Sequence, residues 1–123
     1  MIKITPADKA ISDYIRAKAG WRCERCNAAH PPPTQALHCS HYFGRGNWGT
    51  RFEPLNLSAL CMGCHRHFTA QPELHREWML ERIGEAELDA LRMKASLPAY
   101  GIKKRIKDIA SQYREKLRGL SQT

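Results

Sequence analysis

Residues 60–68 read LCMGCHRHF, and Cys61 and Cys64 in this stretch are spaced as Cys-x2-Cys. The same spacing occurs at Cys23 and Cys26. Each pair can place two thiolates at corners of one tetrahedron, so two pairs suit a four-cysteine zinc site. Four thiolates leave no open position for a substrate, which favours a structural Zn²⁺ over redox chemistry of the dithiols, the alternative.

The segment between the two pairs must leave the metal and return, because it exceeds the usual short interval of a zinc ribbon. It is therefore an insertion displayed by a zinc-anchored frame. The fifth cysteine, Cys39, lies in this insertion and belongs to neither Cys-x2-Cys pair. We expect it to be a small buried residue rather than a nucleophile.

The length of 123 residues indicates one domain that benefits from a covalent or metal staple. Twenty Lys and Arg against twelve Asp and Glu give a formal charge of +8, which favours a polyanionic partner, foremost nucleic acid. The N-terminus lacks the apolar stretch of a signal peptide, and no apolar run is long enough to span a membrane. We expect a cytoplasmic protein, and paired thiols in that compartment are more often metal ligands than disulfides.

Helical patterns flank the insertion. Thr5 with Pro6 predicts a helix start, and an apolar stripe follows to about Gly20. The stretch ALHCSHYF, residues 36–43, predicts a short strand before a glycine-rich turn, whereas CNAAHPPPTQ predicts a loop. Further helical runs are SALCMGCHRHF, PELHREWMLERIG with Leu74, Trp78 and Ile83 on its buried side, and GEAELDALRMKA.

The C-terminal segment predicts an amphipathic helix. Its apolar residues recur at helical spacing: Ile102, Ile106, Ile109, Tyr113, Leu117 and Leu120. Its other face is basic, with seven Lys or Arg against two acids between residues 102 and 118, a net +5. The basic face either contacts DNA or is solvated surface, and the apolar face either forms a homodimer or packs on its own domain. We divide the chain into residues 1–95 and this basic helix, residues 96–123.

The ordered residues of the insertion and its frame resemble the zinc-bound branch of the His-Asn-His (HNH) or ββα-metal nucleases. The matching parts are Cys23 and Cys26, His41, Asn56, Cys61 and Cys64, and His65. Within that superfamily the chain resembles the phage recombination nucleases called NinG or Rap. The resemblance covers roughly residues 10–118, through SHYFGRG, RFEPLN, LCMGCHRHF, REWMLERIGEAELDAL and SQYREKLRGL.

This resemblance implies an α+β fold with a small ββα-metal core, stapled by zinc and flanked by N- and C-terminal helices. It implies hydrolysis of phosphodiesters in branched DNA such as Holliday junctions and D-loops, in the cytoplasm of a bacterial host if the protein is phage-encoded. His41 is then the general base, a carbonyl of Asn56 orients its ring, and His65 holds a catalytic Mg²⁺ or Mn²⁺. The chemistry agrees, because a neutral imidazole accepts a proton near pH 7 and a cation stabilises charge on phosphate.

The sequence departs from the family pattern at Ser40, where many HNH enzymes carry an Asp or His metal ligand. His38 is a candidate substitute, although a regular strand points positions 38 and 41 to opposite faces. His30, His67 and His75 are expected to be structural or solvated. The candidate DNA contacts, each weighed against ordinary surface or core packing, are Arg45, Arg51, Trp48, Lys103, Lys104, Arg105 and Lys107.

Two other functions remain open at this stage. A non-catalytic zinc module that binds DNA or recruits a recombination partner explains the cysteines and the charge, but not the ordered His41, Asn56 and His65. A toxin-like or homing-type nuclease would use the same site on ordinary duplex DNA. The oligomeric state, the preferred DNA and the identity of the catalytic ion are not determined by the sequence.

Overall fold

The computed structural model describes residues 3–32, 34, 36–98 and 101–121. Pro33 and Gln35 of the predicted loop lie outside these ranges, as do residues 1–2, 99–100 and 122–123 of the two predicted segments. The elements run in the order α1 Pro6–Lys18, β1 Leu37–His41, α2 Trp48–Arg51, a 3-10 turn Pro54–Asn56, β2 Leu57–Cys61, α3 Met62–Ala70, α4 Pro72–Ile83, α5 Glu85–Ser96, a 3-10 turn Lys103–Arg105 and α6 Ile106–Ser121.

Helix α1 begins where the sequence predicts. The Thr5 side chain accepts a hydrogen bond from the Asp8 backbone N–H at 3.2 Å, and the Asp8 carboxylate accepts one from the Thr5 N–H at 2.8 Å. This reciprocal capping box satisfies donors that a helix start otherwise leaves open. The apolar stripe of α1, with Ile11 and Ile15, is buried in the core.

Strands β1 and β2 form an antiparallel hairpin whose register pairs Leu37 with Cys61 and His41 with Leu57. The prediction of β1 is confirmed. The prediction that a helix begins within SALCMGCHRHF is confirmed, since α3 begins at Met62, but the first four residues of that stretch, 58–61, belong to strand β2. Pairing with β1 determines the strand conformation of β2, and four of its five residues, 57–60, are buried.

Helix α6 packs on α1, so both ends of the described chain share one core. Ile109, Ala110 and Tyr113 are buried there, and the Tyr113 ring lies 5.4 Å from that of Tyr14 between centroids. The apolar face of α6 therefore packs on its own domain, as one of the two alternatives for that face predicts, and homodimer formation stays a prediction. The division at residue 95 stays a prediction about function, since α6 does not pack as a separate body.

Helices α4 and α5 pack on each other around a second small core of Met79, Leu88 and Leu91. Gly84 joins the two helices with a backbone φ of 86°, a left-handed conformation that favours glycine. The predicted buried side of α4, Leu74, Trp78 and Ile83, is half-buried, whereas Met79 is fully buried.

The fold is a mixed α+β domain in which a two-stranded hairpin lies between flanking helices, as expected. Helix α2 lies in the connection between β1 and β2 and closely approaches the end of α5. Glycine at position 49 permits this approach, since a Cβ there would collide with the carbonyl oxygen of Lys94. Among the described residues no helix is both long and apolar enough to cross a membrane.

Candidate metal centre and histidine cleft

The four cysteines of the two Cys-x2-Cys pairs converge on one point. Their sulfur atoms all lie within 4.8 Å of one another, and the Sγ atoms of Cys26 and Cys61 are 3.8 Å apart. A tetrahedral zinc ion with Zn–S distances near 2.3 Å separates its sulfurs by about 3.8 Å, whereas a disulfide needs about 2.05 Å. The four residues are thus positioned to bind one metal ion, and the donor set fits a structural Zn²⁺.

Backbone geometry brings the two pairs together. The first pair lies on a turn in which Asn27 adopts a positive φ of 65°, while Cys61 ends β2 and Cys64 lies in the first turn of α3. Glu24 fastens the turn to β2: its N–H donates to the Ala59 carbonyl at 2.8 Å, and its carboxylate accepts from the Ala59 N–H. The N-terminus of α3 favours thiolates electrostatically.

The protein environment shifts the pKa values of two of these thiols in opposite directions. Burial raises the pKa of the Cys23 thiol, but backbone hydrogen bonds, led by Cys26 and Cys61, outweigh it and lower that pKa to about 7. Burial and the neighbouring sulfurs raise the pKa of Cys64 to about 12, against a hydrogen bond from Arg25 at 3.4 Å. A bound cation would supply the positive charge that four adjacent thiolates need.

Cys39 is separate from this cluster. Burial raises the pKa of its thiol to about 11, so the thiol stays protonated at neutral pH. The residue as a whole is half-buried, so the expectation of a buried residue is met only in part, and a protonated thiol is a weak nucleophile.

A cleft of about 360 Å³ opens between the end of β1 and helices α3 and α4. His41, Ser40 and His65 line it together, so three positions singled out in the sequence meet at one surface. The cleft lies next to the cysteine site, because His65 directly follows Cys64 on α3.

His41 is held in its neutral form. Burial and the charge of Arg45 lower its pKa to about 4, although Asp8 and a backbone hydrogen bond at Cys39 oppose the shift. Among the described residues nothing hydrogen-bonds its buried Nε2. A neutral imidazole keeps a lone pair on one of its ring nitrogens, and that nitrogen can accept a proton.

Asn56 is fully buried and holds the chain that follows His41. Its Oδ1 accepts from the Phe43 N–H at 2.8 Å, its Nδ2 donates to the carbonyls of Phe43 and Thr50, and its own carbonyl accepts from the Tyr42 N–H at 3.0 Å. None of these bonds reaches the His41 ring. The expectation of direct ring orientation is thus corrected: Asn56 positions the backbone next to His41.

His38 and His65 are in contact. Their Nδ1 atoms are 2.9 Å apart, and their ring planes cross at 80°. As strand geometry predicts, His38 does not line the cleft beside His41; it lies with His65 along an adjoining groove. His65 borders both spaces, and burial and the charge of His38 lower its pKa.

The two arginines of the glycine-rich turn have different environments. Arg51 is 1% exposed and pairs with Asp8 at 2.6 Å, so its prediction as a phosphate contact is corrected: the guanidinium is used inside the fold. Arg45 is partly exposed, with its Nε 3.8 Å from the Asp8 carboxylate. Arg45 remains available to a phosphate, and its role stays a prediction.

Trp48 is half-buried rather than displayed. The Arg51 guanidinium lies 4.3 Å and the Lys103 ammonium 5.1 Å from the centre of its ring. Packing thus accounts for Trp48, and base stacking by it stays a prediction. The basic residues at the start of the C-terminal segment are exposed: Lys103, Lys104, Arg105 and Lys107.

His75 is the cleft residue that sequence reasoning missed, since it was expected to be structural or solvated. It lines the cleft with His41 and His65, stacks on Phe68 at 4.5 Å between ring centroids, and contacts Tyr42 edge-on at 4.8 Å. Burial, with the nearby charges of His65 and Arg82, lowers its pKa to about 4. The sequence held one signal, a histidine one turn before Trp78 on the half-buried side of α4.

The described residues thus form a small α+β domain with four cysteines positioned to bind one metal ion and a histidine-lined cleft beside them. The chain belongs to the NinG family: the family described as Bacteriophage Lambda NinG protein matches residues 3–123. Neither a curated protein nor a solved structure matches the chain.

Proposed function

We propose that this NinG-family protein is a metal-dependent endonuclease of the HNH type that hydrolyses phosphodiesters in branched DNA, such as Holliday junctions and D-loops, during phage recombination. Membership of the NinG family supports the branched substrate. The observation that carries the chemistry is the cleft that joins His41 and His65 on the hairpin and helix anchored by the cysteine site.

His41 acts as the general base in this proposal. Its pKa of about 4 keeps the ring unprotonated at pH 7, and Nε2 has no hydrogen-bond partner among the described residues. A neutral nitrogen with a free lone pair is the form that takes a proton from an attacking water. Asn56 keeps that nitrogen in place by fixing the backbone at Tyr42 and Phe43.

The family likeness implies a catalytic divalent ion in addition to the structural zinc. His65 fits it, because the ring reaches the cleft and its Nδ1 already has a nitrogen partner at 2.9 Å in His38. When bound, such an ion stabilises negative charge on the phosphate and the leaving oxygen. Ser40 borders the cleft but supplies no carboxylate.

DNA is held by charge in this account. Lys103, Lys104, Arg105 and Lys107 place four exposed cations within five residues, and Arg45 adds a partly exposed cation near the cleft. Contacts of this kind bind the phosphate backbone without reading sequence, which suits a target recognised by its branched shape.

The exposed basic segment also favours the second candidate, a non-catalytic zinc module that binds DNA. That candidate needs the cysteine site and the lysines, but it gives no role to His41. The two functions therefore differ in one measurable respect: only the nuclease loses an activity when His41 is replaced.

The test is cleavage of a labelled four-way junction and of a linear duplex with the same sequence, in Mg²⁺, in Mn²⁺ and in EDTA. His41→Gln should lower the cleavage rate by about 10²- to 10⁴-fold with junction affinity retained, as expected for loss of a general base. His67→Gln is the matched control, since His67 lies on α3 and bonds Gln71 away from the cleft. Wild-type protein that binds junctions but never cuts them would favour the binding module, and equal cutting of both DNAs would remove the branch preference.

A further inference from the structure

The contact between His38 and His65 joins two elements that are far apart in sequence. His38 comes from the middle of β1 and His65 from the first half of α3, and the separation of 2.9 Å lies between their Nδ1 atoms. At that separation one ring donates an N–H to the other. When that proton lies on the opposite ring nitrogen, both Nδ1 atoms have a lone pair available to a ligand.

The separation fits a shared cation. Two imidazole nitrogens about 2.1 Å from one ion at a right angle lie about 3.0 Å apart, whereas a tetrahedral angle needs about 3.4 Å. The observed 2.9 Å is an ordinary hydrogen-bond length and is also short enough for both nitrogens to bind one ion. Water and DNA phosphate would complete its coordination, because in the described part of the chain the cysteine cluster is the one group of three or more potential ligand residues.

Carboxylates near the pair are engaged elsewhere. Asp8 and Asp13 line the groove that His38 and His65 border. Asp8 accepts from Arg51 and Thr5, and Asp13 accepts from Arg16 at 2.7 Å and from Lys9 at 3.0 Å. The His38–His65 pair itself offers nitrogen donors. Imidazole favours first-row transition ions, while Mg²⁺ prefers oxygen ligands.

We propose that His38 and His65 together bind one divalent ion, separate from the cysteine site, and that this pair selects transition ions over Mg²⁺ with Ni²⁺ tighter than Co²⁺ and Co²⁺ tighter than Mn²⁺. The inference deepens the proposed function, since it names the class of ion that is held by His65, the residue that borders both the cleft and the groove. In this proposal His38 replaces the metal ligand that many HNH enzymes carry at the position of Ser40.

The experiment is calorimetric titration of tag-free, zinc-loaded protein with Ni²⁺, Mn²⁺ and Mg²⁺, with zinc content measured before and after. We expect one Ni²⁺ per chain and binding of Mg²⁺ at least tenfold weaker. His38→Gln and His65→Gln should each weaken Ni²⁺ binding at least tenfold, and His67→Gln should leave it unchanged. The double variant should bind Ni²⁺ only slightly more weakly than the weaker-binding single variant, because each substitution alone already removes the two-histidine chelate.

Ni²⁺ binding that is unaffected by His38→Gln would overturn the proposal, as would additive losses from two independent histidines. If His65→Gln releases zinc, His38→Gln decides the question alone, because His38 lies outside both cysteine pairs. The readout does not depend on cleavage. Paired binding without DNA cutting would leave this inference standing and reject the nuclease, whereas cutting that survives in His38→Gln with unchanged Ni²⁺ binding would do the reverse.

Discussion

The buried pair between Asp8 and Arg51 gives the sharpest prediction for stability. Both side chains are nearly inaccessible, at 2% and 1% exposure. Arg51 donates to the Asp8 carboxylate at 2.6 Å and 3.0 Å, and to the Lys3 carbonyl at 2.8 Å. The pair connects α1 to the last residue of α2, across 43 positions of sequence.

Arg51→Met should cost about 3 kcal/mol of unfolding free energy. Removing one partner of a buried pair costs about 3–5 kcal/mol, because the other charge is left without compensation. The lower end applies since Thr5 still donates to Asp8 and Arg45 lies 3.8 Å away. Burial raises the Asp8 pKa, but hydrogen bonds from Arg51 and Thr5 outweigh it and hold that pKa below 3.8. The pair's contribution is therefore complete at pH 7.5 and is lost as pH falls through the lowered pKa.

Urea unfolding at pH 7.5 with zinc held constant measures this loss. Lys9→Met is the matched control, because it removes an exposed pair with Asp13 that is worth only about 0.3–0.5 kcal/mol. Junction affinity is measured on the same samples. An Arg51→Met protein that loses less than about 1 kcal/mol but loses DNA affinity would refute the reasoning and restore Arg51 as a phosphate contact.

Four further predictions concern the site. Asn56→Ala should lower the unfolding free energy by about 2–4 kcal/mol and slow junction cleavage, because it leaves buried backbone groups at Phe43 and Thr50 unpaired; urea unfolding and a cleavage assay check both. His75→Phe should reduce the loss of stability between pH 7.5 and pH 5.5 by up to about 1 kcal/mol in urea unfolding, a value reduced for the partial exposure of the ring, because the unfolded chain takes up a proton there that folded His75, with a pKa of about 4, does not. Removing metal with a strong zinc chelator, or Cys26→Ser, should abolish the cooperative thermal transition seen by circular dichroism, and an unchanged transition would contradict a structural site. Glutamine at the four exposed cations of residues 103–107 should weaken junction binding and reduce the slope of log affinity against log salt by up to about 3.6, measured by anisotropy at several salt concentrations.

Local signals predicted much of the frame. The Thr5 cap, the strand at residues 37–41 and the helix after Pro72 follow from capping, alternation and proline placement. The convergence of four cysteines follows from the tetrahedral demand of their paired spacing. These features depend on neighbours in sequence or on one metal ion, which is why a single chain reveals them.

Features that depend on distant packing were missed. Residues 57–61 are strand because β1 lies beside them, although the stretch has no strong strand composition. Arg51 looked like a surface cation because its partner Asp8 lies on another element. His75 reaches the cleft only because α4 turns back beside α3 after Gln71, a geometry that no local pattern specifies.

The direct bond expected between Asn56 and the His41 ring shows a finer limit. The ordered His41 and Asn56 indicated that the two residues cooperate, and the structure places them on one connection. Which atoms meet depends on side-chain rotamers and on the turn at Tyr42 and Phe43. A positioning role through the backbone was therefore not accessible from the residue types alone.

The central claim is that His41 is the proton acceptor of a DNA-cutting site. Its most direct test is the single-turnover rate of four-way-junction cleavage at saturating protein, compared between wild type and His41→Gln in the same metal buffer. The account predicts that the wild type cuts in a metal-dependent manner and that the variant binds the junction with equal affinity but cuts at least about 100-fold more slowly. Equal rates in the two proteins would contradict it.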